Sequence, residues 1–430
     1  MKLFILLFSY YYLADAQCLS TNDNPVITNY DARNLLIDGR FQFSLNVLKI
    51  IANISEGENF FFSPISLHEA FTLVYFGSRG NTEKLLKQAL VIPEHLSKVD
   101  VQRFFSFDSN DNRKQVETSS AQLPNVEYSV ANRLWIKINA NIRMCMSDIF
   151  NHEIKKIDFR SNPESARNEI NHWIKNITKG NIPELLPFQS ITEDTDLVLT
   201  NAVYFKGLWK NRFNSENTKR DIFYPSENNA TFANFMRQKG TFNHTISEVL
   251  GAHVLQLPYT DENISMFIFL PPFAAASGIK AQDGLVQLIE KMTTSRDGLA
   301  ELHEILDGGM QAKSVDVQIP KFSFEEELPM VPLAQNLGIS EILVPGAANL
   351  LGFVEDGEES LHIGDAVHHA KIEITEEGTT ATAATALFSF RSSRPTGPVV
   401  FHANHPFLYI IYNHSSRNIL FSGIFSKPSK

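Results

Sequence analysis

Residues 376–385 read Glu376-Glu377-Gly378-Thr379-Thr380-Ala381-Thr382-Ala383-Ala384-Thr385. After Gly378 every side chain in this run is small, so none can anchor a core, and the run has no helical face. Just upstream, Ile372 and Ile374 alternate as in a strand, and Gly378 leaves the backbone free to turn. Two readings are open. The run is a flexible loop or linker, or it is a spare strand whose small side chains can slide between two others. Gly378 to Arg391, if extended, would span roughly 46 Å. Its new backbone bonds, at ~1 kcal/mol net each, would supply on the order of 10 kcal/mol.

Working outward, the chain alternates helical and strand signals. Phe43, Val47, Ile50 and Ile51 recur at helical spacing. Asn59 to Pro64 reads as a short buried strand and a turn, with Ser63-Pro64 starting a helix to Gly77. Ser106 to Ser120 is polar and reads as an exposed loop. Ser165 to Thr178 is amphipathic, with Ala166, Ile170, Trp173, Ile174 and Ile177 on one face and Gly180 just past its end. Thr195 to Trp209 and Met266 to Leu270 read as strands, and Val315, Val317 and Ile319 alternate. Ala281 to Leu306 reads as two helices broken near Thr293 to Asp297. Phe407 to Tyr412 and Asn418 to Ile424 form a hairpin around Asn413 to Arg417. The pattern is α+β, without repeat or linker, and favours one domain over 17–430.

The remaining signals concern compartment and chemistry. Leu3 to Phe8 is apolar and Ala14-Asp15-Ala16 offers a small-x-small cleavage site, so residues 1–16 read as a signal peptide and the mature chain is expected to be secreted. No stretch is long and apolar enough to span a bilayer. A net charge of -10 gives no reason to expect nucleic acid, anionic membrane or heparin as a partner. Cys18 and Cys145 can pair, but Cys18 lies near a terminus, and the reading adopted is two free thiols. Sequons stand at Asn53, Asn176, Asn229, Asn243, Asn263 and Asn413. There is no nucleophile elbow, His-Glu-x-x-His, P-loop, dinucleotide fingerprint or zinc spacing, so no enzyme, cofactor or metal is expected. His368 and His369 are adjacent and would point to opposite strand faces.

Longer motifs then accumulate. Glu377-Gly378-Thr379 with Ala381, Ala383 and Ala384 resembles the hinge of inhibitory serpins. Asn59 to Ser66 is similar to the family's Asn-x-Phe-Phe-Ser-Pro-x-Ser. Ala131 to Leu134, Asn171-x-Trp173, Thr178-Lys179-Gly180, and Thr200 to Gly207 with Trp209 are also similar. So are Leu361 to Ala370, His405-Pro406-Phe407 and Phe421-Ser422-Gly423. The resemblance runs from about Phe41 to Pro428. It implies the serpin fold, with three β-sheets, eight or nine α-helices and an exposed reactive loop at about 376–398. It further implies a monomeric suicide substrate for a serine protease, acting by loop cleavage, acyl-enzyme trapping and loop insertion. By resemblance, Ser63, Ser66, Asn201 and His368 form the polar cluster beneath the opening of the main sheet. Trp209 matches the residue near the loop's entry point. A non-inhibitory serpin (carrier, chaperone or storage protein) is the alternative.

The scissile bond has two candidates. Commonest family spacing from Gly378 gives Ser392-Ser393. Chemistry favours Arg391-Ser392, because trypsin-like pockets hold an aspartate that pairs with Arg. Four features depart from the pattern. His369 stands where Lys is usual, Asn404 where Asp is usual, the tail Pro395 to Val400 holds two Pro and one Gly, and the stretches 106–125 and 271–314 are long.

Overall fold

The computed structural model of the protein describes residues 18–19, 29–55, 57–107, 126–273, 281–377 and 397–428. Helices α1 (Ala32–Ile54), α2 (Pro64–Gly77), α3 (Gly80–Ala89) and α4 (98–107) follow one another, with strand β1 (Phe60–Phe62) between the first two. Ser63 caps α2 by accepting from the Ser66 amide, and Pro64 occupies the first turn, where its missing N–H is not needed. α4 takes in Ser106 and Phe107, which the sequence placed in a loop; most of that loop lies outside the described residues.

A five-stranded sheet runs in the order β10 (Phe322–Glu327), β11 (Ile363–Ile374), β4 (Leu197–Gly207), β2 (Val126–Lys137), β3 (Ile154–Ile157). Helix α5 (Met144–Ile149) lies between β2 and β3, and α6 (Pro163–Ile177) between β3 and β4. A second, nine-stranded network contains β5 (Lys219–Ser226), β6 (Asn229–Ser247), β7 (Ala252–Pro258), β8 (Ile264–Leu270), β9 (Gln311–Pro320), β12 (Val399–His402), β13 (Phe407–Asn413) and β14 (Asn418–Phe425), with β1 at one edge. The long strand β6 serves two sheets: residues 229–244 pair with β5 and β9, and 244–247 pair with β7. Three sheets thus emerge, two of them joined through β6. Helices α7 (Ala281–Thr294), α8 (Arg296–Leu306) and α9 (Met330–Asn336) complete the order, the first two broken at Ser295 as expected.

The core divides by layer. Between the five-stranded sheet and the hairpin, Phe205, Ile372 and Ile374 meet Phe61, Tyr409 and Phe421, with the Phe61 and Phe421 rings stacked at 4.9 Å. Farther along the same back face, Leu134, Leu197, Leu199 and Ile363 share a cluster with α1 and α2. The front face is covered by α6, whose Ala166, Ile170 and Ile174 pack on Trp135, Val198, Ala202 and Val367. Ile177, expected on that buried face, is exposed at the helix end, and Asn171 is buried instead. Its amide pays for burial by bonding the backbone of Leu185 and Leu186.

Cys18 and Cys145 form a disulfide, which corrects the expectation of two free thiols. The terminal position of Cys18 is no obstacle. Leu19 is buried beside it, and Arg79 donates to the Cys18 carbonyl at 2.9 Å.

Candidate functional site

The centre of the five-stranded sheet holds a parallel pair. β11 and β4 pair from Ile363 opposite Leu197 to Glu373 opposite Lys206, with one irregularity between Ile363 and Asp365. A strand placed between two parallel strands would run antiparallel to both, the geometry available to a chain that leaves the end of β11 and turns back.

Halfway down this seam lie the four residues singled out in the sequence, and the structure brings them together. His368 is opposite Asn201, and its Nδ1 meets the Asn201 Oδ1. The Ser63 amide donates to His368 Nε2 at 3.3 Å. Because Nε2 accepts, Nδ1 carries the proton and donates to Asn201. Asn201 Nδ2 then donates to the Ser66 carbonyl at 2.7 Å, and the Ser63 hydroxyl donates to the Leu420 carbonyl at 2.7 Å. Burial, reinforced by neighbouring His369, lowers the His368 pKa to about 3, so the imidazole is neutral. Two further members escaped the sequence reading. Asn132 accepts from the Ser66 hydroxyl at 3.1 Å and donates to Glu69 at 3.0 Å. Asn132 was part of a quoted motif, but only the register opposite Asn201 shows that it joins the cluster.

At the loop end of the seam, Trp209 is buried and stacks on Tyr259 at 4.5 Å. Its Nε1 donates to the Thr375 carbonyl at 2.7 Å, and its backbone amide to the Glu377 carbonyl at 3.3 Å. Glu376 accepts from Lys321 at 2.7 Å and from Thr218 at 2.8 Å. Burial opposes ionisation of Glu376, yet these bonds hold its pKa below the usual carboxylate value. Lys206 lies 3.5 Å from Glu373 and 3.6 Å from Glu377. The chain therefore leaves β11 under the grip of Trp209, Lys206 and Lys321. It is next described at 397 and joins β12, which among the described residues pairs only with β9.

Gly378, Thr379, Ala381, Ala383, Ala384, Arg391, Ser392 and Ser393 lie outside the described residues, as does the leader segment. Asn53, Asn176, Asn229 and Asn263 are exposed. Asn243 is half-buried and donates to Gln256 at 2.9 Å. Asn413 is buried, its Oδ1 accepting from Ser415 and Ser416 in the hairpin turn. Among the described residues no group of three or more His, Cys, Asp or Glu is placed to hold a metal ion.

Comparisons with known proteins agree with this architecture. Residues 39–428 match the family model described as serpin (serine protease inhibitor). Serine protease inhibitor 88Ea of Drosophila melanogaster is 38% identical over 413 residues, covering 93% of this chain and 92% of that protein. Antithrombin-III of Ovis aries is 31% identical, over 87% of this chain and 77% of its own. A solved structure of a tumour-suppressing serpin superposes with a TM-score of 0.77 at 25% identity, covering 92% of this chain and 100% of that one. With the sheet order, the seam cluster and the anchored loop base in place, these matches show that the chain belongs to the serpin family.

Proposed function

We propose that the protein is a secreted inhibitor of a trypsin-like serine protease, acting as a suicide substrate cleaved at Arg391-Ser392. The observation that carries this is the parallel β4–β11 seam, fully paired in the intact chain and continuous with a segment of small residues after Gly378. Cleavage frees the segment from β12, and it enters the seam as a strand antiparallel to both neighbours. The protease is carried along as an acyl-enzyme. Thr379, Ala381, Ala383 and Thr385 bring neither bulk nor charge into the sheet, so burial of the hinge is not opposed. Secretion is supported by the apolar leader and by the Cys18–Cys145 disulfide, a bond that persists in oxidising compartments. The exposed Asn53, Asn176, Asn229 and Asn263 are the sequons proposed to carry glycans, while the hydrogen-bonded Asn243 and Asn413 are not.

Incubation with trypsin tests this directly. An adduct stable in SDS should form, and mass spectrometry of the released C-terminal fragment should begin at Ser392. A fragment beginning at Ser393 moves the scissile bond to Ser392-Ser393. Complete cleavage without adduct would favour a non-inhibitory serpin.

A further inference from the structure

The loop has two anchors, β11 at its start and β12 at its end, and the second is the weaker. β12 is a four-residue strand that among the described residues is held by β9 alone, from Val399 opposite Val315 to His402 opposite Gln318. Its one fully buried side chain is Phe401, which sits edge-on to the ring of His244 at 6.0 Å.

His244 is unusual among the buried histidines. It is 1% exposed on β6, and neither ring nitrogen has a hydrogen-bond partner. His368, by contrast, bonds Ser63 and Asn201, and His405 bonds the Pro271 carbonyl at 2.7 Å. Among the described residues, the groups facing His244 offer it no counter-charge. From β7 comes His253, its ring 5.7 Å away, and from β9 comes Lys313; both oppose a second positive charge. His253 also acts on His405, in the segment that joins β12 to β13. Phe401 from β12 is apolar, and the register neighbours Leu255 and Gln311 are uncharged. A proton added here has nowhere to be satisfied unless the cover opens. Desolvation first, then His253 and Lys313, lower the His244 pKa to about 4.

We propose that the His244–His253–Lys313 cluster beneath Phe401 is an acid-sensitive latch on β12. Protonation of His244 expels Phe401 and peels β12 from β9. An intact loop released at that end can enter the β4–β11 seam without being cut, so acid exposure turns the inhibitor into an inactive form. The loop-entry step rests on the inhibitory function proposed above; the latch itself does not.

The test is timed exposure of the intact protein to pH 4.5 and return to pH 7.4. Adduct formation with trypsin and resistance to heat are then measured. Wild type should lose adduct formation and gain heat resistance together. His244→Phe should slow both changes by about tenfold or more, the size expected if the site titrates near 4 when closed and near 6.5 when open. Lys313→Met keeps the imidazole but removes a neighbouring cation, and should slow them less. It decides the matter alone if His244→Phe does not fold. Acid conversion at the wild-type rate in the folded variants overturns the latch. If wild type forms no adduct even at pH 7.4, the inhibitory function fails, and the latch is read from heat resistance alone.

Discussion

At the scale of single residues, His368 is the most constrained group in the sheet. Its neutral form fits because Ser63 supplies a donor and Asn201 an acceptor, and a proton on Nε2 would face the Ser63 amide. The folded pKa of about 3 lies below the unfolded value of 6.5, so between these values the unfolded chain binds more protons. The stability tied to His368 is complete above pH 6.5 and declines as pH falls toward 3. Urea midpoints measured at pH 7 and pH 5 should therefore be lower at pH 5. Replacing His368 with Gln should shrink that difference while lowering both midpoints, the remainder coming from buried His68 and His244, whose pKa values burial lowers to about 3 and about 4. Asn201→Ala strips His368 Nδ1 of its acceptor and leaves the Ser66 carbonyl with the weaker donor Asn132 Nδ2 at 3.3 Å. One buried group left unpaired should cost about 1–3 kcal/mol in equilibrium unfolding.

Elements hold the loop end of the seam and tie down the N-terminal segment. At the loop end, Trp209→Phe should keep the stack on Tyr259 but lose the bond to the Thr375 carbonyl, at about 1 kcal/mol. A synthetic peptide with the sequence Gly378 to Arg391 should then anneal into the sheet faster than in wild type, as followed by native electrophoresis. In the N-terminal segment the Cys18–Cys145 bond closes a loop with a sequence separation of 127. Chain-entropy reasoning assigns it about 4–5 kcal/mol, so the double Cys→Ser variant should melt well below wild type. Legibility from sequence followed the same division. Strands with steady alternation or dense apolar runs, such as β9, β13 and β14, could be read directly. β6 could not, because its buried residues change parity between Phe235 and Met236, where its partner changes from β5 to β9. The disulfide escaped because sequence separation says nothing about proximity, and only the burial of Leu19 and the Arg79 contact show what holds Cys18 in place.

For the molecule as a whole, the strand that leads into the proposed hinge was legible from the alternation of Ile372 and Ile374, while the hinge itself lies outside the described residues. What that strand would join was not legible. The direct pairing of β4 with β11 depends on residues more than a hundred positions apart, and no local signal specifies it. The intact molecule has five strands in this sheet and a loop tied to two different sheets. On the proposed mechanism, a lower free energy becomes accessible if one tie is cut. Thermal unfolding of intact protein against protein clipped once near Arg391 measures that difference most directly. A midpoint tens of degrees higher for the clipped form, corresponding to on the order of 10 kcal/mol of new backbone bonding, is the predicted result. Equal midpoints would contradict it.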